Sequence, residues 1–276
     1  MPDLSGARPA TRELGDFASV ALLGGLYSNH LALAAALRLA RARRVGAVVA
    51  LGDFGAFGPH PDRTLEILRQ ADIPAIQGNY EESLSSDAAD CHCGYTDPRD
   101  NHYAQISYDY TRDKTAPEHK RWMATLPAQI RLTVGGRRAL LCHGSPRRIN
   151  EFLWHSMTPV PFIQELLRRH DTDLVCCTHT GLHWRRFVEP GRGIVNVGAL
   201  GRPANDGRTQ VWFAILSGDG GQIEAEFVPV DYDHALLARE MDAEGLPPEF
   251  TETIRTGWWT TCLEILPAKE RARGRF

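Results

Sequence analysis

Val45-Gly46-Ala47-Val48-Val49-Ala50-Leu51-Gly52-Asp53 decides how this chain is read. A short β-branched apolar run that ends in Gly-Asp predicts a buried strand with a carboxylate at its C-terminal end. Three other segments repeat the pattern. Ile73 to Ile76 leads into Gly78-Asn79, Arg138 to Cys142 into His143-Gly144-Ser145-Pro146, and Leu174 to Cys177 into Thr178-His179-Thr180. Upstream, Val20 to Leu23 is a further buried strand ending in Gly24-Gly25. Asn29 to Arg43 carries Leu and Ala at helical spacing with Arg at its C-terminal end, which suits the helix dipole. Pro61 to Gln70 is a second helix. This β-α-β-α-β alternation predicts parallel strands with crossover helices, and ligands gather at the carboxyl ends of such strands. One carboxylate, one amide and two imidazoles are therefore expected at one edge of one sheet. Such a set can hold a hard or borderline metal ion.

Composition sets the outer limits. The chain has 276 residues, 43% hydrophobic and 24% charged, which is ordinary for a globular protein with an ample core. A net charge of -3 gives no basic field and points away from nucleic acid. No apolar run is long enough to span a bilayer, and Met1 to Asp16 lacks a charged-then-apolar signal pattern, so no membrane partner and a cytoplasmic location are expected. Six cysteines in this length do not read as a disulfide framework; Cys142, Cys176 and Cys177 lie in apolar runs and read as reduced core residues.

The expected organisation is an N-terminal arm at 1–18, a main domain at 19–245 and a C-terminal helix and tail at 246–276. Within the main domain a polar, turn-rich insertion at about 82–128, with Asp97-Pro98 as a turn and a helix from Pro117 to Thr125, is expected to cover one side of the site. Hairpins follow at 129–142, 185–197 and 211–229. The tail carries Trp258-Trp259 and a basic end, Lys269 to Arg275. The tryptophan pair reads as packing onto the body, or onto a second copy in a homo-oligomer, rather than stacking on a base.

Taken in order, these segments resemble the calcineurin-like metallophosphoesterase family, from about Val20 to the strand near Val230. Gly52-Asp53 with Gly58-Pro59 fits its second motif, Gly78-Asn79-Tyr80-Glu81 the third, His143 the fourth and His179 the first His of the fifth. Asn196-Val197-Gly198 with Gly201-Arg202-Pro203 resembles the stretch that follows. Asp90-Cys91-His92-Cys93 and His143 to Glu151 fit a bacterial phosphodiesterase or phosphatase branch. The resemblance implies an α/β fold, a four-layer α/β/β/α sandwich with a two-metal site that hydrolyses phosphate monoesters or diesters.

The departures fall on one side of that site. Where the family has Asp-x-His and a final His, this chain has Gly25, Tyr27 and Gly181. The resemblance then implies one dependable ion, a divalent or trivalent Mn, Fe or Zn, on Asp53, Asn79, His143 and His179. Tyr80 stands where relatives carry the His that assists the leaving group. Asn79, Tyr80 and Tyr27 are the candidate catalytic residues. Arg147 and Arg148, beside His143, are candidates for binding the phosphate of a small-molecule ester. Tyr27 as a phenolate, or His30, His60 or His183 reaching inward, are the routes by which a second ion site would be rebuilt; space-filling and loop roles are the plainer readings. Cys91-His92-Cys93 lacks zinc-knuckle spacing and reads as a structural turn, with metal or redox chemistry as the alternative. Three functions are open in this order: a variant phosphoesterase, a non-catalytic binding protein on the same scaffold, and a changed reaction at a mononuclear centre using Tyr27 and Tyr80.

Overall fold

The structure, a computed structural model, describes residues 10–272. Alternation with period two sets its layers. In β2 (Ser19–Leu23) Val20 and Leu22 face one core while Ala21 and Leu23 face another. A four-stranded sheet runs in the order β10 (Gln222–Val230), β9 (Val211–Asp219), β2, β3 (Ala47–Ala50). A six-stranded sheet runs β1 (Thr11–Phe17), β4 (Gln129–Val134), β5 (Arg137–Leu141), β6 (Leu174–Cys177), β8 (Arg192–Val197), β7 (His183–Glu189). Val20, Leu22, Val49 and Leu51 of the first meet Ile130, Leu132, Leu141, Cys176 and Val195 of the second in a dry central core. On the outer face of the small sheet lie α1 (His30–Ala42), α2 (Pro61–Gln70) and α4 (Pro98–Lys114), through Leu33, Leu65, Leu68 and Tyr108. On the outer face of the large sheet lies α6 (Val160–Arg169), through Ile163, Leu166 and Leu167. The result is the expected helix–sheet–sheet–helix sandwich.

Local chemistry explains the elements that match. Asn29 caps α1 by accepting from Ala32 N at 3.0 Å, and Pro61 opens α2, where a missing N–H costs nothing. Several expectations are corrected. Ile73 to Ile76 makes only a parallel bridge, Ala50 to Ala75, because Pro74 has no N–H to extend the ladder. The hairpin β9–β10 completes the first sheet by pairing β9 antiparallel to β2. Residues 11–17, expected as part of an arm, form β1, parallel to β4; their side chains are mostly exposed, so no apolar alternation marked them. Residues 1–9 of that arm, and Arg273 and Arg275 of the basic end, lie outside the described residues.

The insertion is helical. Asn79–Ser85 is α3 and Pro117–Met123 is α5, with α4 between them. Asp97-Pro98, expected as a turn, is the N-cap and first residue of α4, with Asp97 accepting from Arg99 N at 2.8 Å. After β10 come α7 (His234–Ala243), α8 (Pro248–Thr256) and α9 (Ala268–Ala272). Residues 257–267 cross the body as a strap. Asp100 of α4 accepts from Glu264 N and Ile265 N, Arg99 donates to Thr260 O, and Trp259 donates from Nε1 to Pro203 O at 2.6 Å. Trp259 packs with Trp154, Phe152 and Leu266, so the tryptophan pair does secure the tail to the body. No helix of the described residues is long and apolar enough to cross a membrane.

One side chain ties the strand-end loops together. Glu81, on the first turn of α3 and fully buried, accepts from Asp53 N at 2.7 Å, Phe54 N at 2.9 Å and Gly78 N at 2.8 Å. Its bond to Gly78 is the acidic half of a capping box. Glu81→Gln keeps one carbonyl acceptor but turns an NH2 toward backbone donors. It should cost about 2–4 kcal/mol, the range of one or two lost charge-assisted bonds, and lower the melting temperature accordingly. A thermal melt matching wild type would show that the carboxylate is not structural.

Candidate metal centre

Asp53, His143 and His179 converge. One ligand atom from each lies within 4.8 Å of the others, and all three residues are buried. They arrive from two sheets rather than one edge of one sheet, which corrects the expectation. Asp53 follows β3 and Asn79 follows the bridge at Ala75, both on the small sheet, while His143 follows β5 and His179 follows β6 on the large one. Asp53 and His179 hold φ of +55 and +67, values that non-glycine residues rarely adopt and that cluster at functional sites. Close approach explains Gly78: a Cβ there would lie 2.6 Å from Asp53 Oδ1 and 2.9 Å from His143 Cε1.

The hydrogen bonds select the tautomers. His143 Nδ1 lies 2.6 Å from Leu51 O, and a carbonyl only accepts, so Nδ1 carries the proton and Nε2 faces the cluster. His179 Nε2 lies 3.2 Å from Cys93 O, which leaves Nδ1 to face the cluster. These two inward nitrogens are 3.1 Å apart, and His143 Nε2 is 3.2 Å from Asp53 Oδ2. Asn79 donates from Nδ2 to Cys91 O at 2.9 Å and Cys93 Sγ at 3.3 Å, while its Oδ1 is buried with no hydrogen-bond partner. A buried carbonyl oxygen without a donor is costly unless something cationic meets it. The donor set of two imidazole nitrogens, a carboxylate and a bare amide oxygen fits a transition-metal ion.

Burial alone would raise the Asp53 pKa, but the charge and hydrogen bond of His143 outweigh it and bring it below the ordinary range. Burial would lower His143, but Asp53 overrides it and raises the imidazole above its ordinary value. Burial, then the charge of His143, pushes His179 down to about 3. Burial and then the Asp53 charge push Glu81 up to about 7, against the pull of its three N–H donors. Asp53 and His143 thus each favour the other's charged form, while His179 is held toward the neutral imidazole.

The other named residues are placed as follows. The ring of Tyr27 lies over Gly25: a Cβ on Gly25 would be 2.5 Å from Tyr27 Cε1. Gly181 has φ +72, and a Cβ there would meet the Trp259 ring at 2.8 Å. Tyr27 is buried, and burial followed by Asp53 raises its pKa strongly, which opposes a phenolate. The Tyr80 hydroxyl lies 2.9 Å from Ser107 Oγ on α4, and its backbone N donates to Asp53 Oδ1 at 3.3 Å. Burial raises its pKa as well, so it remains a protonated phenol. Arg147 and Arg148 are exposed. Arg147 pairs with Glu151 and lies over Phe162 at 4.7 Å. His30 and His60 point to Glu240 on α7, at 3.7 and 3.6 Å, and His183 packs against Trp212 and Phe227.

Three groups named from the sequence take roles that it did not assign them. Arg202 is buried between Phe57 and Trp259, at 4.8 and 4.1 Å from their rings. It donates to Thr261 O at 2.8 Å, and no carboxylate of the described residues lies within 4.0 Å of it. It lines a small cavity together with Tyr27, Gly181 and Trp259. Asn196 donates to Thr178 O at 3.1 Å and accepts from Gly198 N at 3.1 Å, fixing the loop that carries His179. Cys91 and Cys93, expected as a plain turn, are joined as a disulfide.

Known proteins share this arrangement of elements. A metallophosphoesterase from Sphaerobacter thermophilus has a TM-score of 0.66 at 23% identity, over 87% of this chain and 99% of that one. A hypothetical protein from Pyrococcus horikoshii has a TM-score of 0.73 at 18% identity, over 90% and 100%. An uncharacterized protein from Methanocaldococcus jannaschii is 22% identical over 251 residues, 86% of this chain and 98% of that one. Residues 20–219 match the calcineurin-like phosphoesterase superfamily domain. With most of its length inside that match, the chain belongs to the calcineurin-like phosphoesterase superfamily.

Proposed function

We propose that this protein is a variant metal-dependent phosphoesterase with one ion per chain, held by Asp53, Asn79, His143 and His179. The observation that carries it is the convergence of Asp53, His143 and His179, with the outer imidazole nitrogens committed to carbonyls and Asn79 Oδ1 buried without a hydrogen-bond partner. A binding-only scaffold has no reason to keep four ligands so oriented. Mn, Fe or Zn suits this mixed N/O set, and such an ion supplies Lewis acidity toward a phosphoryl oxygen and acidifies water. The side of the site that would hold a second ion is filled by the Tyr27 ring and closed by Trp259. Arg202, buried there without a carboxylate partner, is a better-placed cation for a phosphate oxygen than Arg147, which Glu151 already engages. Tyr80, still protonated, or a water is the proton donor to the leaving oxygen, and Tyr80 would have to exchange its Ser107 bond to serve. The substrate class is a small phosphate ester.

The second reading, a non-catalytic binding protein, is favoured by closure: Asp53, Asn79, His143 and His179 are at most 7% exposed. Slow cleavage of an aryl phosphate monoester or diester with added manganese, abolished by Asp53→Ala, separates the two. Absence of turnover on both ester classes in metal-loaded protein would hand the case to the binding reading.

Metal content should be about one equivalent per chain, and Asp53→Ala or His179→Ala should lose it, because either leaves too few anchors. Elemental analysis giving two chelation-resistant equivalents, or unchanged content in both variants, would overturn the assignment.

Affinity should depend on pH. His143 has a raised pKa, so below that value an incoming ion must displace its proton. Apparent affinity should then weaken about tenfold per unit as pH falls through and below the raised value, and level off above it. A flat calorimetric profile from pH 5 to 8 would contradict the raised pKa of His143 and the displacement of its proton by the ion.

Rebuilding the second side needs more than the family ligands. Gly25→Asp alone should destabilise, since its Cβ meets the Tyr27 ring; adding Tyr27→His should relieve the clash. Gly181→His also needs Trp259→Ala, and carries a strain of order 1 kcal/mol at positive φ. The four changes together should raise metal content toward two equivalents and increase turnover. A folded quadruple variant that still binds one ion would show that this side no longer presents a metal site.

A further inference from the structure

We propose that Cys91 and Cys93 form a thiol–disulfide modification site whose state sets how tightly the metal centre holds its ion, an inference that rests on the metal-centre reading above. The two cysteines are bridged across one residue, with Cα atoms 5.1 Å apart, and His92 between them takes φ +47. The covalent ring holds the backbone in a tight turn, and that turn serves two of the four ligands. Cys91 O and Cys93 Sγ receive both hydrogen bonds of the Asn79 carboxamide, and this leaves its buried Oδ1 unpartnered and available to an ion. Cys93 O receives His179 Nε2, and this is what leaves Nδ1 facing the ion site. Outer partners of this kind fix ligand orientation, and losing them typically costs about 10–100-fold in metal affinity.

The remaining cysteines, 142, 176, 177 and 262, are buried free thiols and offer no competing partner. Cys93 is the more exposed member of the pair, at 9% against 5%, with exposed His92 and Gly94 on either side. A thiolate from a small dithiol would attack Cys93 Sγ, breaking the S–S bond and releasing Cys91 as a thiolate that takes a proton. The second thiol of the reagent would then displace Cys93, so that two electrons pass to the protein and the reagent ends as a disulfide. Once opened, residues 91–93 keep the bonds of His92 to Asp90, Ser83 and Asn150, but the two carbonyls are held less firmly toward Asn79 and His179.

The test uses the full chain, stripped of metal and split into oxidised and phosphine-reduced arms. Counting thiols in denaturant should give the four free cysteines before reduction and all six after. Mn2+ is the probe because it prefers oxygen and nitrogen donors to thiolate. Calorimetry should show the reduced protein binding Mn2+ about 10–100-fold more weakly, with affinity restored on reoxidation. Cys91→Ala/Cys93→Ala should show the weak affinity and no response to reductant, with circular dichroism and the melting temperature reporting its fold. Indistinguishable Mn2+ affinity in the two arms, with the thiol counts as stated, overturns the inference alone. A count of six that persists after treatment with a disulfide-forming oxidant also overturns it. Failure of both arms to bind Mn2+ overturns the metal-centre reading, and this inference with it.

Discussion

The site depends on one buried carboxylate that never faces it. Glu81 gathers three backbone N–H groups from two separate loops, and so fixes the distance between the end of β3 and the start of α3. Asp53 and Asn79 stand on those two loops. Replacing such a carboxylate with water would leave the N–H groups satisfied but the loops unlinked. The two ligands would then keep their identity and lose their spacing. Because Glu81 also lies close to Asp53, a cation at the site favours both carboxylates in their ionised forms, and loop geometry and ligand charge reinforce each other.

The large sheet solves the same problem with backbone carbonyls. Leu51 O belongs to the small sheet yet fixes the tautomer of His143, which stands at the end of the large one. Cys93 O, from the insertion, fixes His179. Every inward nitrogen is thus set by a segment other than the one that carries it. Asn196 and Thr178 extend this cross-bracing: the Thr178 hydroxyl donates to Gly198 O at 2.5 Å while its backbone carbonyl accepts from Asn196. An ion held by Asp53 and the two histidines would add one more link to the polar contacts that already join the sheets at this end, such as His143 to Leu51 O.

Much of this was legible in the sequence. Short apolar runs ending in Gly-Asp and single histidines marked Asp53, His143 and His179, which the structure brings together, and Pro61 gave the start of α2. The reading failed where buried faces are polar. Helix α4 turns Asp100, Ser107 and Thr111 inward, so it shows no apolar stripe; those groups bond to backbone, Ser107 accepting from Phe57 N and Thr111 from Ala56 N. Strand β1 is mostly exposed and carries no alternation. Arg202 was legible only as part of the Gly201-Arg202-Pro203 stretch; its burial between two rings, with no carboxylate partner among the described residues, is a tertiary feature. Gly25 and Gly181 were legible as departures, but not the aromatic rings that occupy their space.

The strap of residues 257–267 lies beyond the stretch that matches the family, and it follows every proposed ligand in chain order. It is fastened to α4 through Asp100 and to the site's flank through Trp259, yet supplies no donor to the Asp53–His143–His179 cluster. Its hold on the body runs through bonds that none of those three side chains shares, so the strap and the cluster are fastened independently of each other.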